Sequence, residues 1–409
     1  MEKSEFYRNA RRDLPGPIAG LRVLEATTTW AGPMCACVLA DLGADVIKAE
    51  LPEGEVARRL PPFLPGPQPQ LSCMHTTVNR NKRSLTLDLR RREGAEVFLR
   101  LAARADVVVE NFRPGTMARW GLGYADLRAA KPDIVYVSIS GYGQFGPEHD
   151  QAGYDPAAQA ASGFISLNGE ADGVPVKSPT FLADDLGGLH GAVAALAALR
   201  HRDRTGEGQH IDVALLDALL FQSNGYLTLA ALGAPPRRMG SQFVVAAPAN
   251  VYRCRDGHVM AGVLLDSHWK RLARLIGRPE LADHPDYATP RARVERRDEV
   301  NELLANWLET RPVDEVVSLF KAEGLAVAPV RTYAEAARDP HVLERDMLQS
   351  TPQEDGSIAP VTGPATKFSR TPTAVRSGAP ALGAHTDEIL AQCGFDEAER
   401  RRLREAGVI

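Results

Sequence analysis

Short apolar runs alternate with amphipathic stretches over the first 140 or so residues. LRVLE (21–25), DVIKAE (45–50), ADVVVEN (105–111) and DIVYVSIS (133–140) are apolar and rich in β-formers. Between them GPMCACVLADLG (32–43) and EGAEVFLRLAARA (93–105) carry apolar residues at helical spacing. Strands of this kind separated by helices predict parallel pairing through helical crossovers. The fold class is therefore α/β, with a doubly wound, Rossmann-like parallel sheet in a large domain. Ligands of such sheets bind where loops leave the carboxyl ends of the strands. Those loops here are TTTWAGP, NFRPG and SGYGQFGP, each holding glycine or proline.

The periodic pattern weakens after about residue 225. GAPPRRMGSQFVVAAPAN (233–250) and the stretch 350–383 are rich in proline and glycine with little period. Between them lie a predicted hairpin, VYRCRDGHVMAGV, turning at Asp256-Gly257, and a helix over VDEVVSLFKAEG (313–324). Long irregular connectors tend to wrap or link domains. The expected organisation is a large α/β domain over 1–225, a smaller inserted α+β domain with its linkers over 226–345, and a return to the large domain over 346–409.

A chain of 409 residues is long enough for more than one core. Its formal net charge of −4 argues against nucleic acid or an anionic membrane as the main partner. No apolar run of about 18 residues and no leader pattern stands out, which predicts a soluble, cytoplasmic protein. The five cysteines form no C-x-x-C pair and the ten histidines no metal spacing, so reduced thiols and no metal site are expected.

Gly141, Gly143 and Gly146 spell G-x-G-x-x-G directly after DIVYVS. A dinucleotide site needs a helix to open at the third glycine and an acidic residue about 20 positions on. Pro147 follows at once, then Glu148, His149 and Asp150, with no apolar stripe at helical spacing. The motif is weak as a nucleotide site, and a nicotinamide dehydrogenase is the reading it would otherwise support.

WAGPMCACVLADLGADVIKAE, NRNKRSLTLDLRRREG, ADVVVENFRPGTMARWGLGY, SISGYGQFGP, GYDPAAQAASG, LADDLGGLHGAVAALAAL, TGEGQHIDVALLDALL and LGAHTDEIL occur in that order. Together they resemble a family III coenzyme A transferase, the group that holds formyl-CoA and carnitine-CoA transferases and α-methylacyl-CoA racemase. The resemblance implies an interlocked homodimer, no permanently bound cofactor, and acyl-CoA plus a carboxylic acid as substrates. It makes Asp184 the nucleophile that attacks the thioester, giving a mixed anhydride and then an aspartyl-CoA thioester. It also implies an active-site lining of Trp30, Ala31, Gly141, Tyr142, Gly143 and Tyr154. Thr28, Leu87, Arg90, Asn111, Phe112 and Arg119 match CoA contacts.

Local chemistry bears on these positions separately. Asp184 precedes a small-residue helix and reads as its N-cap, accepting amides that keep it ionised; taken alone, that favours a purely structural cap. Amides of Gly141, Gly143 and the Gly187-Gly188 pair are candidate donors to an oxyanion. Arg80, Lys82, Arg83 and Arg113 are further candidate cations for CoA phosphates, although Lys82 and Arg83 suit internal carboxylates as well.

Two departures from relatives matter. Racemases of the family carry histidine where this chain has Tyr154, and a phenol is a poor base at neutral pH, which leaves His149 as the remaining base. Trp30 stands where the formyl-CoA branch has glutamine, and no glycine run follows Asp184, so a different acyl pocket is expected. Arg58 and Arg59 are candidates to hold a second carboxylate, which points to succinyl-CoA or another short acyl-CoA as donor. A 2-methylacyl-CoA racemase and a CoA-binding regulatory protein are the alternatives.

Overall fold

The structure, a computed structural model, describes residues 1–65 and 71–409. Six strands, β1 (Arg22–Ala26), β2 (Asp45–Glu50), β3 (Lys82–Thr86), β4 (Val107–Glu110), β5 (Val135–Ser140) and β6 (His210–Ala214), form one sheet in the order β3-β2-β1-β4-β5-β6. Every neighbouring pair is parallel, which is the expected α/β class. Strand order reverses between β1 and β4, so the crevice at their carboxyl ends is the switch point of the sheet.

Side chains of the central strands alternate between two cores, as a sheet covered on both faces requires. Val107 and Val109 enter one core and Val108 the other; Val135 and Val137 oppose Tyr136 in the same way. One layer is built from helix Arg92–Ala102, through Phe98 and Leu101, and from Ile389 and Leu390 of helix Thr386–Gln392. The other is built from helix Ala31–Asp41 and helix Leu182–Thr205.

The edge strands β3 and β6 escape the apolar pattern because Lys82, Arg83, His210 and Asp212 interrupt it. The β3 edge is covered by the returning C-terminal segment. His385 Nδ1 accepts the Ser84 N–H at 3.2 Å, Ser84 O accepts the His385 N–H at 3.0 Å, and Thr386 Oγ1 accepts the Thr86 N–H at 3.1 Å. These contacts blunt an otherwise open strand.

Helix Leu182–Thr205 is long and apolar enough to cross a bilayer, contrary to the expectation that no such segment exists. Half of its apolar window is buried, with Ala192, Ala195 and Ala198 in the second core, which is the behaviour of a core helix. It lies close to helix Ala31–Asp41: a Cβ on Gly188 would stand 2.8 Å from Met34 Cβ and 2.9 Å from Ala31 O. Glycine there is required by close approach rather than by backbone angle.

The chain divides into two compact units. The larger holds Met1–Phe164, Ser178–Leu227 and Pro340–Ile409, and the smaller holds Ile165–Lys177 and Thr228–Asp339. In the smaller unit, β7 (Ala249–Cys254), β8 (Gly257–Gly262) and β9 (Ala326–Pro329) form an antiparallel sheet over a core that includes Trp269, Leu304 and Phe320. Pairing of Cys254 with Gly257 makes Arg255 and Asp256 the turn residues, one position ahead of the predicted Asp256-Gly257. Helix Val313–Ala322 is tied to that turn, for Asp256 Oδ1 accepts the Val313 N–H at 2.8 Å. In the larger unit, β10 (Leu348–Pro352) and β11 (Ile358–Thr362) pair antiparallel, so the stretch from 350 begins as a hairpin rather than as irregular chain.

Candidate active site

The switch-point crevice gathers the loops after β1, β4 and β5. Asn111, just past β4, holds the β1 loop: its Oδ1 accepts the Thr28 N–H and its Nδ2 donates to Thr28 O, both at 2.8 Å. Thr29 then turns with φ of 70°, a left-handed conformation that a β-branched residue rarely adopts. Glu55 holds it there, accepting the Thr29 N–H at 2.7 Å and the Thr28 hydroxyl at 3.0 Å. On the β5 side, a Cβ on Gly141 would stand 2.6 Å from Gly153 Cα, so two backbones touch at this point.

These loops and the start of helix Leu182–Thr205 enclose a cavity of about 280 Å³. Thr28, Trp30, Ala31, Asn111, Phe112, Gly141, Tyr154 and Asp184 all line it. Arg113 lines it too and is exposed. Tyr142 and Gly143 do not. The Tyr142 ring packs beside Gly153, and the Gly143 N–H donates to Ser140 Oγ at 3.0 Å.

Asp184 is not the cap of its helix. Phe181 occupies that position, and Asp184 sits in the first turn. The capping acceptor comes from far away in sequence: Asp155 Oδ1 takes the Ala183 N–H at 2.7 Å and the Asp184 N–H at 3.4 Å. Gln159 Nε2 donates to the other Asp155 oxygen at 2.7 Å. Asp185 is engaged as well, since Trp30 Nε1 donates to its Oδ1 at 2.7 Å. Among the described residues no donor reaches the Asp184 carboxylate. Burial first, then the neighbouring charges of Asp155 and Asp185, push its pKa up to about 7. The expectation of amide bonds that keep it ionised is thus reversed.

The helix glycines are not free donors either. Only the first four N–H groups of a helix lack intrahelical partners, and Gly187 and Gly188 lie beyond them. They serve packing: a Cβ on Gly187 would stand 2.5 Å from Leu215 Cδ2.

A second cavity, of about 450 Å³, shares Thr28, Val56 and Phe112 with the first. Leu87, Leu89 and Trp120 give it an apolar wall, Arg59 and Arg90 put cations on it, and Glu50, Glu53 and Glu55 put carboxylates on it. Phe112 meets Trp120 edge-on with centroids 5.2 Å apart. Arg90 is oriented by Asp88, with Nε to Oδ1 at 2.7 Å and Nη2 to Oδ2 at 2.8 Å. Arg119 lines neither cavity; its Nη2 donates to Thr116 Oγ1 at 2.9 Å.

The other cations of the basic run are internal. Arg80 pairs with Asp41 at 2.6 Å, Lys82 with Glu25 at 2.7 Å, and Arg83 with Asp45 at 2.5 Å. Arg58 pairs with Glu50 at 2.7 Å and Glu354 at 3.4 Å, which removes it as a holder of a second carboxylate. His149 is exposed, off both cavities, with Nδ1 2.9 Å from Gly146 O. No helix opens at Gly146, so the glycine motif lacks the element a pyrophosphate would need.

Sequence reasoning missed the support beneath Thr29. Glu55 Oε1 lies 3.2 Å from Lys48 Nζ and 3.4 Å from His75 Nδ1, and all three side chains are buried. No periodicity signals such a pairing, because its members come from different elements.

A family model described as CoA-transferase family III matches residues 18–386. The chain is 37% identical over 392 residues to the succinate–glutarate CoA-transferase of Agrobacterium fabrum, spanning 93% of this chain and 97% of that one. It is also 37% identical over 396 residues to the succinyl-CoA:mesaconate CoA-transferase of Haloarcula hispanica, spanning 94% of this chain and 98% of that one. Among solved structures, a CAIB/BAIF family protein from Brucella suis is similar at a TM-score of 0.82 and 36% identity, covering 93% of this chain and 100% of that one.

Proposed function

Because the chain belongs to CoA-transferase family III, we propose that it moves CoA from succinyl-CoA to a second carboxylic acid through Asp184. It is an enzyme whose substrates are CoA thioesters and free carboxylates. The observation that carries the Asp184 assignment is its bareness. Of three clustered aspartates, Asp155 and Asp185 are engaged by neutral donors, and Asp184 alone lines the cavity without one.

In the proposed chemistry the Asp184 carboxylate attacks the thioester carbonyl carbon. The C–S bond breaks and CoA leaves as the thiolate, forming a mixed anhydride. The thiolate then attacks the Asp184 acyl carbon, which releases the donor acid and leaves an aspartyl-CoA thioester. The acceptor carboxylate attacks that thioester, CoA leaves again, and its attack on the acceptor acyl carbon regenerates Asp184. A carboxylate without hydrogen bonds is less stabilised as a ground-state anion, and orientation in the cavity supplies much of the remaining advantage.

The second cavity suits the nucleotide end of CoA. Leu87, Leu89 and Trp120 offer a flat apolar slot, and Arg59 and Arg90 suit phosphates. The shared residues Thr28, Val56 and Phe112 would flank the pantetheine arm. Arg113, which lines the same cavity as Asp184, suits the distal carboxylate of a dicarboxylic acyl group. The names of the relatives favour succinyl-CoA as donor, and the acceptor is a further short carboxylic acid.

A homodimer accompanies this reading. Val193 and Phe221 are 65% and 76% exposed on the large unit, apolar surface of the kind that a partner covers. The racemase alternative lacks a second base, since Tyr154 occupies the histidine position and His149 lies outside the cavity.

The test is CoA transfer from succinyl-CoA to a panel of acids, with hydroxylamine trapping of the enzyme-bound acyl group. Asp184→Ala should abolish both transfer and trapping while CoA binding persists. Wild-type transfer in that variant refutes the reading, as does exchange of the α-hydrogen of a 2-methylacyl-CoA with solvent deuterium at a comparable rate.

A further inference from the structure

We propose that Trp30, fastened by Asp185, shields the Asp184 anhydride from water, making Asp185 a positioning residue for faithful transfer. The inference rests on the reading of Asp184 as nucleophile and adds a function for its neighbour.

The indole is restrained by elements that meet only in the folded chain. Its Nε1 donates to Asp185 Oδ1 at 2.7 Å, and its ring meets Phe181 with centroids 5.2 Å apart. Its backbone follows Thr29, whose left-handed φ of 70° is maintained by the Glu55 carboxylate. Glu55 is in turn backed by the fully buried Lys48. A β-branched residue at positive φ, above a buried ion pair, is an unfavourable way to build a loop. Asp185 is also an unfavourable neighbour, because its charge opposes ionisation of Asp184. An apolar residue at 185 would not carry that charge. What the arrangement provides is an indole fixed in the wall of the cavity that Asp184 faces.

The chemistry requires such a wall. In the side reaction, water attacks the donor acyl carbon of the mixed anhydride. The bond from that carbon to the Asp184 oxygen breaks, Asp184 leaves as a carboxylate, and the free acid and a proton are released. The net result is acyl-CoA plus water giving acid plus CoA. Water must therefore be kept from the anhydride while the larger thiolate and acceptor carboxylate remain admitted. An indole that swings away when its N–H bond is lost would admit water.

The experiment compares CoA release from succinyl-CoA without acceptor to CoA transfer with acceptor, at about pH 8, where Asp184 is ionised. Asp185→Ala and Trp30→Phe should each raise the ratio of hydrolysis to transfer roughly tenfold or more. Asp185→Asn should restore the wild-type ratio, because its amide oxygen still accepts the indole N–H. The Asp185→Ala/Trp30→Phe double variant should leak no more than either single one. A ratio within about twofold of wild type in both folded single variants overturns the proposal, and so does an Asn variant that leaks like the Ala one. Trp30→Phe keeps the test open if Asp185→Ala fails to fold. Persistence of transfer in Asp184→Ala would sink the nucleophile assignment instead, and is read in a separate assay.

Discussion

Asn111 and Thr28 are joined at both ends of one side-chain amide, the Thr28 N–H to Oδ1 and Nδ2 to the Thr28 carbonyl, each at 2.8 Å. The amide therefore joins the loops after β1 and β4, the two strands at which the order reverses. Its polar atoms are engaged in that clamp, which makes Asn111 a builder of the wall of the Asp184 cavity more than a free donor to it. Asn111→Asp keeps the acceptor, loses the donor and leaves the Thr28 carbonyl unpaired in a half-buried place. A loss of about 1–3 kcal/mol follows, the usual penalty for stranding such a group. Thermal melts should fall by several degrees, and KM for acyl-CoA should rise more than kcat falls. A melt and KM identical to wild type would contradict the clamp.

The raised pKa of Asp184 sets a pH profile for both rate and stability. As the proposed nucleophile it would act ionised, so kcat/KM should climb about tenfold per unit below its pKa of about 7 and level off above it. For stability the sign is opposite. Between its ordinary 3.8 and about 7 the folded protein holds a proton that the unfolded chain has released, so this group's contribution declines as pH rises through that window. Asp184→Asn removes the effect. The variant should melt above wild type at about pH 8 and converge with it towards pH 4. A wild-type profile flat from about pH 5.5 to 8 would show that the nucleophile titrates elsewhere.

The central strands were legible in sequence because Val107–Glu110 and Val135–Ser140 are buried on both faces and read as unbroken apolar runs. The edge strands were not, since an edge tolerates Lys82 or His210 and the C-terminal segment that covers β3 lies some 300 positions away. The site divides along the same line. Asp184 was singled out only through the resemblance, and the local argument for it misassigned the cap. Asp155, 29 residues earlier, supplies the acceptor that a helix start normally draws from its own neighbourhood. Arg58 and Arg80 looked like free cations because their carboxylate partners come from other elements, while for Lys82 an internal carboxylate was already one reading and Glu25 is that partner.

Gly141 and Gly153 bring the β5 turn against the loop that carries Tyr154. A methyl on Gly141 would come within 2.6 Å of Gly153 Cα and 2.9 Å of its carbonyl oxygen, both backbone atoms that cannot rotate away. Gly141→Ala should therefore displace this part of the cavity wall, with transfer reduced roughly a hundredfold and a melt lowered by several degrees. Gly146→Ala is the control: nothing lies within 4 Å of its Cβ, although its positive φ adds some strain. Gly146→Ala should keep most of the activity. Equal losses in the two variants would show that backbone angle, not contact, governs the turn.

Arg113 offers the sharpest reading of substrate class. It is the cation on the Asp184 cavity, whereas Arg59 and Arg90 line the other one, and it is exposed enough to meet a ligand. A planar guanidinium pairs bidentately with a carboxylate, and a ligand that loses that partner keeps its remaining contacts. Arg113→Ala should raise KM about tenfold or more for dicarboxylic acids and their CoA thioesters, and leave monocarboxylic acids of equal length within about twofold. Arg113→Lys should recover only part of the loss, because the fork geometry is gone. The measurement is a matched series of mono- and dicarboxylic acceptors with one donor. A uniform rise in KM for CoA thioesters, whatever their acyl end, would instead assign Arg113 to the phosphates of CoA.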